Sequence, residues 1–152
     1  MFRKVFYIKV IIIFSIILLV SCKNNSTNPL LSGNNLTATI TGSENSSFSA
    51  LSVSGNTSNG MITVIGASID KKLTLTFSQS ATGTLTMGAT GNIGTYSAIT
   101  SLTDAYISSS GTLIITQNDT KVVAGTFSFS GIFSTDLTKN ITVTNGSFTW
   151  NK

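Results

Sequence analysis

The chain has no histidine, one cysteine (Cys22) and one proline (Pro29) in 152 residues, and charged residues make up only 9% of it. Without imidazole there is no histidine-based acid–base catalysis, no Ser-His-Asp arrangement and none of the usual zinc or copper sites. A lone cysteine forms no disulfide within the chain, so an ordinary apolar core must hold the fold. The acids are Glu44, Asp70, Asp104, Asp119 and Asp136. Each falls in or beside an expected turn, and no two form a local pair. A glycosidase would need two carboxylates converging on a cleft, which here would mean Asp104 and Asp136. No D-x-[DN]-x-[DN]-G calcium loop occurs, and Asn118-Asp119-Thr120 reads as a turn. Gly88 to Gly94 lacks the lysine and following helix of a phosphate loop, so it reads as a connection between strands. The inventory predicts a protein that is not an enzyme and carries no cofactor.

What is present begins at the N-terminus. Arg3, Lys4 and Lys9 precede an apolar run from Val10 to Val20, interrupted only by Ser15. A membrane span needs about 20 apolar residues, whereas a signal-peptide core needs roughly 7–15. Leu19-Val20-Ser21-Cys22 resembles the bacterial lipobox. In that signal the cysteine thiol is diacylglycerated and the bond between Ser21 and Cys22 is cut. The resemblance implies a signal peptide over 1–21, a lipidated Cys22, and attachment to the membrane through acyl chains. Each buried acyl CH₂ contributes about 0.8 kcal/mol, so two or three chains hold the protein stably.

Processing would remove Arg3, Lys4 and Lys9, leaving six basic residues against five acids. The pI near 9.4 therefore belongs mostly to the signal. It is no footprint for nucleic acid, which requires a basic patch on the folded domain. Residues 22–32 read as the lipidated cysteine and a flexible polar tether. Lys23 stands where an inner-membrane retention signal would place aspartate, which favours the outer membrane. Lys23-Asn24-Asn25 also lacks the acids of surface-export tags, which favours the periplasmic face over the cell surface.

Residues 33–152 read as one all-β domain, a single antiparallel β-sandwich or partly closed β-barrel of about eight to ten strands. Leu73, Leu75 and Phe77 alternate with threonine and serine, as do Phe127 and Phe129, and Ile141 and Val143. Period-two alternation of β-branched and aromatic residues marks half-buried strands. Further strands are expected over 36–41, 48–54, 61–69, 84–87, 96–99, 105–108, 112–117 and 121–133. Turns are expected at 55–60, 70–72, 108–111 and 117–120. A phase change near residue 50 suggests a bulge, and Asn145-Gly146 suggests a bulge inside one long final strand. A phrase Gly-[Thr/Ser]-[Leu/Phe/Tyr] recurs at Gly83, Gly94, Gly111, Gly125 and Gly146 and reads as a strand opening.

Tyr96, Tyr106-Ile107-Ser108, Gly111 to Thr116, Val123 to Phe129 and Ile141 to Phe148 carry a resemblance. The chain resembles a family of small, uncharacterised Bacteroidota-type lipoproteins, with a G-T-F-x-F strand before a closing T-x-T-N-G-x-F strand. The resemblance implies a β-rich exported lipoprotein and transfers no catalytic residues.

Two functions follow as expectations. The first is a membrane-anchored envelope lipoprotein acting as a non-enzymatic binding or structural module, with a glycan or protein partner. The second is a carrier of a small apolar ligand inside a barrel, its hollow lined by Met61, Met87 and the tyrosines. A core crowded with Phe and Leu favours the first. Thr-x-Thr pairs such as Thr37/Thr39 and Thr142/Thr144 are read as solvent-side strand threonines rather than an ice-binding array.

Overall fold

A computed structural model describes residues 33–79, 82–101 and 103–152. The expectations for Ser21, Cys22, the basic segment and the tether lie outside these residues. Ten strands are described: β1 (Asn35–Gly42), β2 (Ser46–Ser49), β3 (Ser52–Ser58), β4 (Met61–Ala67), β5 (Lys71–Ser78), β6 (Gly83–Met87), β7 (Ile93–Ala98), β8 (Ala105–Asn118), β9 (Val122–Phe133) and β10 (Asp136–Asn151). They form one antiparallel sheet in the order β2-β1-β10-β9-β8-β7-β5-β4-β3, with β6 also paired to β8. The sheet curls into a half-barrel, the partly closed form of the expected all-β fold.

Alternation positions the core. Leu36, Ala38 and Ile40 of β1, Ile62 and Val64 of β4, and Leu73, Leu75 and Phe77 of β5 are all buried, while the residues that alternate with them are not. Each fully buried side chain of this size contributes roughly 1.5–3 kcal/mol. Aromatic rings bridge strands: Phe48 meets Tyr96 edge-on at 6.2 Å, and Phe77 lies 5.8 Å from Phe148.

The segment expected as one bulged strand over 48–54 is in fact β2 and β3, which lie at opposite ends of the sheet. The phase change is a change of partner. The Ala50 N–H donates to Leu36 O on β1 at 2.9 Å, and the next N–H, that of Leu51, donates to Ala67 O on β4 at 2.8 Å. Two residues thus draw the ends of the half-barrel together. Asn34 ties them further, its amide donating to Val53 O at 3.0 Å while its carbonyl accepts from the Asn151 N–H at 2.7 Å. The Trp150 ring lies flat against the backbone at Gly55, where a methyl would sit 2.6 Å from the ring.

Three expected turns differ from what their composition suggested. Gly55 to Ser58 continues β3, and the turn is Asn59-Gly60 alone, with φ of 52° and 73°. Both central residues in positive φ make a tight hairpin whose twist suits its strands. Lys71 and Lys72 open β5 rather than forming a tip, and the bend falls before them, where the Ser68 N–H donates to Lys71 O. Ser108 to Gly111 is no turn at all, because β8 runs straight through it with a register shift between Ser108 and Ser110. That shift moves the buried positions from Tyr106 and Ser108 to Leu113 and Ile115. The expected bulge in the last strand is present between Val143 and Gly146. The recurring Gly-[Thr/Ser] phrase opens β6 and falls near the start of β7, but lies within β8, β9 and β10. Gly94 and Gly146 lie under the rings of Phe129 and Phe127, so ring packing rather than strand opening requires them.

Candidate functional site

A cleft of about 560 Å³ opens at the corner where β2 and β3 part. The β1–β2 connection and β2 supply Glu44 and Ser46 to Ser49, and the β4–β5 bend supplies Ser68, Ile69 and Asp70. Lys71 lies beside them at the start of β5, Tyr96 projects from β7, and Leu51 stands at the partner switch. Leu51 and Ile69, at the cleft, are 76% and 84% exposed; Leu137, elsewhere, is comparably exposed.

The Lys71 ammonium donates to Glu44 Oε2 at 2.6 Å and lies 5.4 Å from the centre of the Tyr96 ring. Partial burial works against its charge, but the Glu44 hydrogen bond and the Glu44, Tyr96 and Asp70 charges outweigh it, so Lys71 titrates above its usual value. Burial pushes the Tyr96 phenol up as well, against the opposing hydrogen bond with the Ser46 hydroxyl at 3.3 Å. Among the described residues the ion pairs are Lys71–Glu44 and Lys139–Asp136. The Asp70 carbonyl accepts the Ile99 N–H at 2.8 Å, and its carboxylate receives a long 3.5 Å contact from the Ser68 hydroxyl.

The carboxylates of Asp119 and Asp136 serve the backbone of their own turns. Asp119 accepts from Gln117 and from the N–H groups of Lys121 and Val122, which together hold its carboxyl down to about 2. The Lys152 ammonium donates to Asn118 Oδ1 and Asp119 O, so a lysine already uses the oxygens of this turn. Asp136 accepts the Thr138 N–H and hydroxyl, and the Asp104 N–H is held by Ser101. Among the described residues, no three of His, Cys, Asp and Glu cluster to hold a metal, and no helix is long and apolar enough to cross a membrane.

Met87, Tyr96 and Tyr106 are packed in the core at 2%, 1% and 4% exposure. Met61 is half-buried at the start of β4. A Cβ at Gly94 would meet the Phe129 ring at 2.6 Å and the Met87 Cε at 2.9 Å, so both side chains crowd that backbone. The Thr-x-Thr pairs stand on the outer face. Ser49, Thr37, Ser147, Thr126 and Ile114 follow one another across β2, β1, β10, β9 and β8. Register shifts in β1, β8, β9 and β10 break such rows, and the sheet curls beneath them. A second concavity lies on this face among Thr112, Ile114, Thr126 and Thr144.

Sequence reasoning did not anticipate the cleft. Its one signal was the loss of alternation phase at Ala50-Leu51, which marks the point where the chain changes partners.

A family model described as a domain of unknown function (DUF6252) matches residues 35–150. No curated protein and no solved structure matches.

Proposed function

The chain belongs to the DUF6252 family, and from that premise we propose that it is a membrane-anchored envelope lipoprotein of the small Bacteroidota type. Its β-domain is a non-enzymatic binding module, held through acyl chains on Cys22 to the periplasmic face of the outer membrane. The observation that carries the binding reading is where space remains. The interior is filled by Leu36, Ile62, Leu73, Leu75, Phe77 and Leu113, each with no exposure, whereas the corner cleft is open and edged by exposed Leu51 and Ile69. A carrier of a small apolar ligand would need a hollow where Met87 and Tyr96 are packed. The anchor reading is supported by the basic start, the short apolar run and the lone cysteine, acting together.

Mass spectrometry of membrane-extracted protein, wild type beside Cys22→Ala, tests the anchor. Protease treatment of intact cells runs in parallel. The expected result is a chain beginning at Cys22 with acyl mass, absent from the variant, and protection from protease in intact cells. An unprocessed, unacylated mass would overturn the lipoprotein reading, and cleavage of the domain on intact cells would move it to the cell surface.

A further inference from the structure

Main-chain groups of neighbouring residues in a strand point to opposite sides. Ala50 faces β1, and so therefore do Phe48 and Ser46, whose partners are Ala38 and Ile40. Ser47 and Ser49 turn their N–H and C=O groups the other way, toward the side on which Leu51 meets β4. There β4 does not accompany them. It ends at Ala67, and the chain bends through Ser68 and Asp70 into β5. The antiparallel ladder that Leu51 begins thus stops short, and the missing rungs are the corner cleft, with Ser46 to Ser49 on one wall and Ser68 to Lys71 on the other.

We propose that an extended peptide segment occupies this wedge by adding a strand to the free edge of β2. The proposal rests on the β-domain being a binding module and names the ligand class. Ser47 and Ser49 present two N–H and two C=O groups about 6.6 Å apart, the repeat of an added strand. Leu51 and Ile69 offer an apolar seat for one side chain of the guest. Charge selects another: Glu44 is committed to Lys71, while the Asp70 carboxylate makes no ion pair among the described residues, so a basic side chain is favoured beside it. A glycan fits less well, because sugars bind by stacking on exposed rings, and the lining aromatics Phe48 and Tyr96 are 4% and 1% exposed. At about 3.3 Å per residue, four or five residues would span the wall.

Backbone amide hydrogen exchange on the full-length, isotope-labelled protein in detergent tests this. The probe is an acetylated, amidated pentapeptide of alternating valine and threonine with a central lysine. Its glutamate counterpart and chitotetraose are the comparisons. In the free protein Phe48 and Ala50 should exchange slowly and Ser47 and Ser49 fast. The lysine peptide should slow Ser47 and Ser49 about tenfold or more, and should bind about two- to fivefold more tightly than the glutamate peptide, the range of one exposed ion pair. Asp70→Asn should erase that preference. Ser49→Pro removes an N–H from the free edge and none from the β1 ladder. It should abolish peptide binding while Ala50 stays protected, and if Ala50 is not protected the unsubstituted chain decides. Slow exchange of Ser47 and Ser49 in the free protein would overturn the proposal, as would no protection by millimolar lysine peptide. Protection by chitotetraose alone would overturn strand addition yet leave a binding module. An unprocessed mass in the anchor experiment would remove the lipoprotein reading without altering this exchange pattern.

Discussion

Ser108 sits where β8 changes partner, and replacing it with alanine should cost the fold more than any neighbouring serine. Residues 105–107 of β8 pair with β7, and residues 111–115 pair with β6. Between them the Ser108 side chain replaces the ladder. Its oxygen accepts the Gly94 N–H of β7 at 2.9 Å and its hydroxyl donates to Gly88 O, just past β6, at 2.6 Å. The residue has no exposure. Ser108→Ala leaves the buried Gly94 N–H without a partner, at about 1–3 kcal/mol, and weakens the half-exposed Gly88 carbonyl, which water can reach, by less. The expected loss is about 2–3 kcal/mol, or roughly 8–12 °C in Tm for a domain of this size. Ser109→Ala is the control. Its exposed hydroxyl donates to Ser130 O at 3.2 Å, and its removal should change stability by less than about 0.5 kcal/mol. Urea unfolding of both variants measures the difference, read from midpoints at unchanged slope. If the two alanine variants unfold within about 0.5 kcal/mol of each other, Ser108 does not staple the branch.

Gly55→Ala should destabilise by about 1–3 kcal/mol, because its methyl would meet the Trp150 ring at 2.6 Å and Thr63 O at 2.8 Å. Trp150 is the sole tryptophan, so its fluorescence should shift in the folded variant, and an unchanged spectrum with unchanged stability would show the clasp to be loose. Glu44→Gln should alter stability by about 0–1 kcal/mol, since the pair is half-exposed, yet should lower the Lys71 titration seen by NMR. Lys71 is raised in the fold, so what Glu44 contributes through it is complete below the usual 10.5 and fades as pH climbs through the folded value; an unmoved titration would refute the pairing. Asp119 should titrate at about 2, and its contribution is complete above 3.8 and lost as pH falls from there through about 2. Gln117→Ala should raise the midpoint, because the Gln117 hydrogen bond is its largest cause, whereas a wild-type midpoint at 3.8 would contradict the turn geometry.

The strands were legible because their information is local. Leu73, Leu75 and Phe77 announce a buried face by spacing alone, and Asn145-Gly146 announced a bulge through its shift of phase. Turn composition misled where the same residue types serve other ends. Ser108 to Gly111 looks like a turn because it holds three serines and a glycine, yet one serine is buried as a backbone partner and the rest let β8 re-aim its side chains. Gly55 looks like turn material, but it is small because a tryptophan from the far end of the chain lies on it. The cleft was illegible for a related reason. It exists because Ala50 and Leu51 bond to strands that lie far apart in the sequence, and no local pattern states which strands those are. Lys71, Glu44 and Tyr96 come together only after that choice is made.

The first strand, β1, lies beside the last, β10, from Asn35 against Thr149 to Gly42 against Ile141, and β10 in turn separates β1 from β9. The sixteen residues of β10 therefore join β1 and β2 to the ladder of the remaining strands. Without β10, β1 and β2 keep the Ala50–Leu51 switch and the Asn34–Val53 bond to the strands beyond, and the Trp150 clasp is lost. Pairings of such long sequence separation form late and slowly. Refolding of the β-domain should therefore be slow, because its ladder closes only when β1 finds β10 from the other end of the domain.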